Sequence, residues 1–397
     1  MPIAAGTPAF QRINRAMLFG GFATFALLYC VQPLMPLLAA HFALTPAQSS
    51  WVLSASSMAL AISLVFSSSL SERIGRRRLM SGAIVLAALL TLLCCFAQTY
   101  AQLLVLRTLL GFALGGMPAV AMAYLSEEIE GSSLGLSMGI YIGGTAFGGM
   151  VGRVAASVLS DLLSWRVALG VMGVSGLYAA WEFWRSLPPS QNFRPSGASF
   201  VQAARMHLMD PALRWLFLFG FLLMGCFVSL YNYSSYLLMA APYHLSQSAV
   251  GALSVLYVLG AWASVWAGRL ADRLGRRQVL WIVIAMMFGG LALTLLPSLV
   301  GVLAGMALFT VGFFASHTVA SSWVGRRARA PQALASALYL FFYYVGGSVL
   351  GSSLGVLWQG GGWHAVVGAL ALVLTCALAI ALRMRGIAPL PEAAVPA

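Results

Sequence analysis

Lysine is absent from this chain and acids are scarce. All 22 basic residues are arginine, against nine Asp and Glu. Charged residues make up 8% of the 397 positions, whereas a soluble domain carries about 25%. With 61% hydrophobic residues and a mean hydropathy of +0.90, the chain would aggregate in water, so the bilayer is its solvent. No Gly-x4-Gly-Lys loop is present, which argues against direct coupling to ATP. Cysteines are few and odd in number. Cys30, Cys94, Cys95, Cys226 and Cys376 fall inside apolar runs without metal-ligand spacing, and read as buried small hydrophobes; no metal or cofactor is implied. An intramembrane enzyme needs a convergent nucleophile and base, and His317 has no acid or cysteine beside it to make one. The net charge of +13 is no nucleic-acid signal, because the arginines sit at the ends of apolar runs, as membrane topology signals do. Nor is there a cleavable signal pattern, because the apolar run after Arg12 and Arg15 is too long for one.

What is present is length. A helix needs about 20 apolar residues to cross the hydrocarbon core. Twelve segments qualify, near 16–40, 49–70, 79–97, 100–125, 133–157, 165–187, 213–240, 248–268, 278–296, 299–324, 333–358 and 363–383. The fold class expected is therefore all-α and multi-pass; β-barrel strands would be about 10 residues long and alternating. An even number of spans puts both termini on one face. That face collects 19 of the 22 arginines, and the positive-inside rule makes it cytoplasmic. The expected location is a bacterial-type inner membrane.

One connection differs from the rest. Residues 188–212 open on Pro188-Pro189-Ser190, contain Pro195-Ser196-Gly197, and then run from Ser199 to Met209 as a short amphipathic surface helix. They divide the chain into a six-span bundle at 1–187 and another at 213–397. In each half the second span ends in the same basic turn, Arg73-Ile74-Gly75-Arg76-Arg77 and Arg273-Leu274-Gly275-Arg276-Arg277, 200 positions apart. Parallel repeats of this kind point to a transporter with its site between the halves.

These runs also carry a resemblance. Gly268-Arg269-Leu270-Ala271-Asp272-Arg273-Leu274-Gly275-Arg276-Arg277 resembles the signature turn of the major facilitator superfamily, and the first copy has Ser68 and Glu72 where that family prefers Gly and Asp. Arg107 with Gly111 and Gly115 resembles its fourth-span arginine motif. Gly139-Ile140-Tyr141-Ile142-Gly143-Gly144-Thr145-Ala146-Phe147-Gly148-Gly149 resembles its fifth-span antiporter motif, with Thr145 in place of the usual proline. With Asn232 and the Phe314-Ala315-Ser316-His317 segment, the chain is most similar to the YnfM-type branch of drug/proton antiporter-like efflux permeases. The resemblance implies two six-helix bundles, a monomer, and alternating-access export of a small amphipathic organic molecule in exchange for protons. Import or uniport of a small anion or sugar is the alternative, kept open by Thr145 and by the lack of any mid-span acid.

Individual residues sharpen the expectation. The turn arginines can cap helix carbonyls and pair with carboxylates. A cytoplasmic latch is expected in which Arg76 or Arg77 meets Glu127 or Glu128 when the cytoplasmic side is closed, with Glu72, Arg73 and Gly75 in the first turn and Asp272, Arg273, Gly275, Arg276 and Arg277 in the second; the alternative is that these are orientation signals only. Arg107 lies about 10 Å into span 4 at 1.5 Å per residue, and must face the bundle interior. It either meets an anionic substrate group or tunes a protonation site, or it pairs with backbone carbonyls and joins spans 1 and 4. With no acid mid-span, His317 is the candidate proton carrier, its alternative being a neutral cross-helix hydrogen bond. Tyr29, Gln32, Tyr141, Asn232, Tyr339 and Tyr343, with Arg107, are the expected substrate lining, their rings offering apolar faces with polar tips. Glycines at four-residue spacing in spans 5 and 11 are expected to let helices pack closely. Pro33, Pro36 and Pro118 are expected to bend spans 1 and 4. Asp161 is expected to form a salt bridge with Arg153 or Arg166.

Overall fold

Among the described residues of the structure, a computed structural model, eleven helices are long and apolar enough to cross a membrane. The structure describes residues 3–192, 200–328 and 332–386. Pro195-Ser196-Gly197, Arg194, Arg329 and Glu392 lie outside the described residues. The last of the eleven helices, Gln332–Met384, has 53 residues, or about 80 Å at 1.5 Å per residue, against a core of about 30 Å. It is broken at Gly362, whose φ of 59° and ψ of −146° are not helical, and so holds two spans. Twelve spans result, six on each side of the linker.

Span 1 runs Pro8–Tyr29, passes through a 3-10 turn at Gln32–Leu34, and ends as Met35–Phe42. Pro33 and Pro36 sit at this break, as expected of residues that remove a backbone donor. Span 2 is Pro46–Ile74, span 3 Arg76–Cys94, span 5 Gly131–Leu162 and span 6 Trp165–Ser186. Span 4 is split into Tyr100–Leu114 and Pro118–Glu128. In the second half, span 7 is Pro211–Met239, span 8 Gln247–Leu274 with a 3-10 stretch at Leu253–Leu256, span 9 Arg276–Leu293 and span 10 Leu299–Arg327. Local chemistry sets many of the starts. Thr45 and Thr99 form capping boxes with Gln48 and Gln102, and Ser164, Asp210, Ser246 and Ser298 cap spans 6, 7, 8 and 10.

The two basic turns have one geometry. Gly75 has φ 90° and ψ 139°, and Gly275 φ 86° and ψ 141°, a conformation that glycine reaches without a Cβ clash. Both turns lie at the same end of the bundle as the N-terminal segment and the linker. That end is called the turn end here, and the opposite one the far end. In the linker, Phe200–Met209 is helical; Ala203 and His207 are buried, while Arg205, Met206 and Met209 are exposed. Asp210, where the linker meets span 7, is paired with Arg327 at 3.1 Å. Burial raises the Asp210 carboxyl, but hydrogen bonds from Arg327 and from the Leu213 and Ala212 amides outweigh it and hold it below the usual carboxylate range.

Glycine spacing positions spans 1 and 5. A Cβ at Gly144, Gly148 or Gly152 would fall 2.7, 2.1 or 2.7 Å from the backbone of Leu18, Phe22 or Ala26. Two stripes of period four thus meet backbone to backbone. Gly346 does the same against Phe221 of span 7. Gly139 and Gly143, by contrast, have nothing within 4 Å of such a Cβ, so close packing is confined to one stripe.

Candidate functional site

A buried polar chain joins the halves in the far third of the bundle. Arg153 of span 5 donates from Nε to Oε1 of Gln32 at 2.7 Å. Gln32 donates from Nε2 to Oδ1 of Asn232 in span 7 at 2.8 Å. Asn232 donates in turn to the Gly351 carbonyl of span 11 at 3.3 Å. The proline break places Gln32 here, on a 3-10 turn rather than on a continuous helix. The Arg153 guanidinium lies over the rings of Tyr29 at 4.1 Å and Tyr257 at 4.9 Å.

From Tyr257 an aromatic band continues across the second half. Tyr257 meets Tyr231 at 5.2 Å and Phe227 at 5.5 Å, and Phe227 stacks on Phe313 at 3.8 Å. Phe313 lies parallel to His317 at 6.3 Å. The His317 ring sits against Tyr343 at 4.7 Å and Tyr339 at 5.6 Å, and its Nδ1 is 3.0 Å from the Tyr339 hydroxyl. His317 remains partly exposed. The expected lining residues thus fall into two connected groups, Tyr29, Gln32 and Asn232 around Arg153, and Tyr339 and Tyr343 around His317. Tyr141 belongs to neither. It is buried about 18 Å along span 5 from Arg153, at 1.5 Å per residue, and its hydroxyl has no partner.

Arg107 is fully buried and donates to three backbone carbonyls. Nη1 donates to Leu27 at 2.9 Å, Nη2 to Leu28, and Nε to Val52 at 3.3 Å. The guanidinium therefore staples span 4 to spans 1 and 2, the second of the two roles expected for it. The cation that stands among Tyr29, Gln32 and Asn232 is Arg153, which lies four residues from the end of the span expected at 133–157. Span 5 reaches Leu162, so Arg153 lies nine residues inside it. The four-residue glycine stripe running on to Gly152 was the available signal, since it has to stay packed on span 1.

Asp161 corrects a second expectation. It forms no salt bridge with Arg153 or Arg166, and its carboxylate accepts from the Ser248 amide at 3.1 Å. Arg166 instead reaches the Ala97 carbonyl at 3.0 Å and the His41 ring at 3.3 Å. Further cross-half bonds lie at the same end of the bundle. Ser49 meets Tyr236 at 2.5 Å, and Gln247 donates to the Pro33 carbonyl at 2.7 Å. Gly251 packs against Ser157. Among the described residues, every cross-half hydrogen bond is at or near the far end.

At the turn end, Arg76 forms a forked pair with Glu127 (Nε to Oε2, 2.6 Å) and donates to Ser71 at 3.1 Å. Arg77 donates to the Trp184 carbonyl at 2.8 Å and lies over the Trp184 ring. Glu128 is not a partner of these arginines. Its carboxylate accepts from Ser190, Gln191 and Asn192, fastening the start of the linker. A cavity of about 760 Å³ lies here, lined by Glu72, Arg73, Gly75, Arg76, Arg77 and Trp184 among others. In the second turn, Asp272 pairs with Arg276 at 3.0 Å, Arg276 also reaches Ser322, and Arg277 donates to the Arg385 carbonyl; Arg273 is exposed.

Comparison with known proteins agrees with this architecture. The chain is 46% identical over 386 residues to the inner membrane transport protein YnfM of Escherichia coli K12, covering 96% of this chain and 92% of that one. It is 44% identical over 379 residues to the uncharacterized MFS-type transporter YybF of Bacillus subtilis 168, covering 95% and 94%. A solved structure of a bacterial homologue of the human lysosomal transporter Spinster, in an inward-facing and unoccupied conformation, superposes with a TM-score of 0.81 at 16% identity, covering 96% of this chain and 97% of that one. Residues 17–351 match the Major Facilitator Superfamily, and the chain belongs to that family: it is a multi-pass membrane transporter of YnfM-like type, not an enzyme.

Proposed function

We propose that this protein exports a small amphipathic organic molecule across the bacterial inner membrane, driven by proton exchange through alternating access. The observation that carries the reading is the one-sided distribution of cross-half bonds: the halves are tied at the far end, around Gln32–Asn232, Ser49–Tyr236 and Gln247–Pro33. With both termini cytoplasmic, as the arginine distribution supports, this is the inward-facing state. The units that rock are residues 1–187 and 213–397, acting as a monomer, with 188–212 as the connecting linker. Substrate enters from the turn end and lies between the Arg153 group and the His317 group, where the aromatic band supplies an apolar surface. His317 carries the proton, and the Tyr339 hydroxyl 3.0 Å away holds its ring in place. The Arg76–Glu127 pair steadies the turn end as spans 3 and 4 move together.

The test is transport in proteoliposomes across a panel of organic compounds, with and without an imposed pH gradient. Gradient-driven movement is expected, and His317→Ala is expected to abolish its dependence on the gradient while substrate counterflow persists. Movement indifferent to the gradient for every compound carried would overturn the exchange mechanism. It would favour the second reading, uniport or import of a small anion or sugar, which the absence of a mid-span carboxylate and the presence of Thr145 support.

A further inference from the structure

We propose that Arg153 is the anchor for an anionic group of the substrate, so that the molecules carried are organic anions with an apolar, aromatic-compatible body. This deepens the transport reading above and rests on it.

Arg153 is only 4% exposed and lies nine residues from the end of its span, about 14 Å at 1.5 Å per residue. A charge so placed needs compensation. Among the described residues, no carboxylate lies within ion-pair distance of it, and Asp161 on the same helix is engaged by Ser248. Every contact that Arg153 does make is with a neutral group: the Gln32 side chain, the Gly149 carbonyl at 2.7 Å, and the faces of two tyrosines. Its Nη2 makes no hydrogen bond to any described residue.

A second observation lies beside it. The hydroxyl of Tyr257, whose ring the guanidinium covers, is buried and has no hydrogen-bond partner. A guanidinium edge and a hydroxyl, both with unmet donor capacity, form a subsite that lacks an acceptor. The planar fork of arginine suits a carboxylate in particular. Phe227, Tyr231 and Phe313 extend from that point as an apolar wall. Arg107 offers a contrast, because its nitrogens are taken up by the Leu27, Leu28 and Val52 carbonyls.

The placement also supplies a coupling route. The Oε1 of Gln32 is the side-chain oxygen that a carboxylate would displace from Nε of Arg153. Gln32 holds Asn232 of the other half at 2.8 Å. Arrival of the anion at Arg153 therefore frees Gln32 and weakens the chain that ties the halves at the far end.

The test uses two pairs of nearly identical shape: benzoate and nicotinate against benzamide and nicotinamide. Thermal stabilisation of the purified full chain in detergent reads binding. In the wild type, the acids are expected to stabilise at concentrations at least tenfold lower than the amides. Arg153→Gln is expected to remove that gap, and Arg153→Lys to keep part of it. Equal stabilisation by acid and amide in the wild type overturns the assignment, and needs no variant to fold. A gap that persists undiminished in Arg153→Gln also overturns it. Proteoliposome transport separates the two readings. If neutral or cationic compounds are carried at rates that Arg153→Gln leaves unchanged, transport stands and the anion site falls. If nothing is carried, yet the acids bind with an Arg153-dependent preference, the anion site stands and transport falls.

Discussion

Two arginines inside the bilayer do different work, and the difference lies in their partners. Arg107 satisfies carbonyls that the break in span 1 leaves beside it, Leu27 and Leu28. Removing its side chain takes the donor from the Leu28 carbonyl and leaves Leu27 with only the Cys30 thiol, at a cost of about 1–3 kcal/mol for a buried acceptor left unpaired. Arg107→Gln is therefore expected to lower the thermal midpoint in detergent by several degrees, with transport falling in proportion to the folded protein that remains. A variant of full stability with no transport would instead return Arg107 to the substrate. The contrast with Arg153 was only half legible in the sequence. That Arg107 must face inward follows from its depth in any helix drawn from 100 to 125. Arg153 read as a helix-end residue because the apolar count fades after 157, while the helix itself continues to Leu162 through polar Ser160 and Asp161.

At the scale of elements, the span count, the short turns and the linker were readable because apolar runs and their arginine borders follow from bilayer thickness. Pairings between helices were not, since glycine spacing says that something packs closely without saying what. The structure assigns the stripe through Gly144, Gly148 and Gly152 to span 1 and leaves Gly139 and Gly143 free of contact. Gly148→Ala should accordingly destabilise by about 1–3 kcal/mol, because its Cβ meets the Phe22 carbonyl. Gly143→Ala, with open space and better helix propensity, should be neutral or slightly stabilising, as thermal midpoints of the two variants will check. The Arg76–Glu127 pair joins spans 3 and 4 within one half. Arg76→Glu is expected to slow transport about tenfold, and Arg76→Glu combined with Glu127→Arg to recover part of it. Equal losses in the single and double variants would mean that the pair as such is not what matters. Glu128, its sequence neighbour, belongs to a different job, holding the linker through Ser190, Gln191 and Asn192. Nothing in two adjacent glutamates distinguishes those roles before the helix phase and the path of the linker are known.

For the whole molecule, the two-bundle plan could be read from the 200-residue recurrence of the basic turn, and the matching dihedrals of Gly75 and Gly275 show the recurrence in the backbone. The composition of the far-end contacts was out of reach, because it depends on which residues the two halves bring together. Those contacts are almost all neutral: amide to amide at Gln32–Asn232, hydroxyl to hydroxyl at Ser49–Tyr236, amide to carbonyl at Gln247–Pro33. Among the described residues, two charged groups take part: Asp161, which accepts from a backbone amide, and Arg153, which is buried and lies over the Tyr257 ring. Mobile ions screen charge pairs over a Debye length of about 8 Å at physiological strength, but they leave buried neutral hydrogen bonds nearly untouched. In the proposed alternating-access cycle, the balance between closed and open at that end should thus be indifferent to the salinity of the surrounding medium. Distances between spin labels placed across the far end are expected to keep the same populations from 20 mM to 500 mM salt. A cell meeting dilute or briny surroundings would then keep the same transport cycle, with the transported molecule rather than the medium deciding when the far end opens.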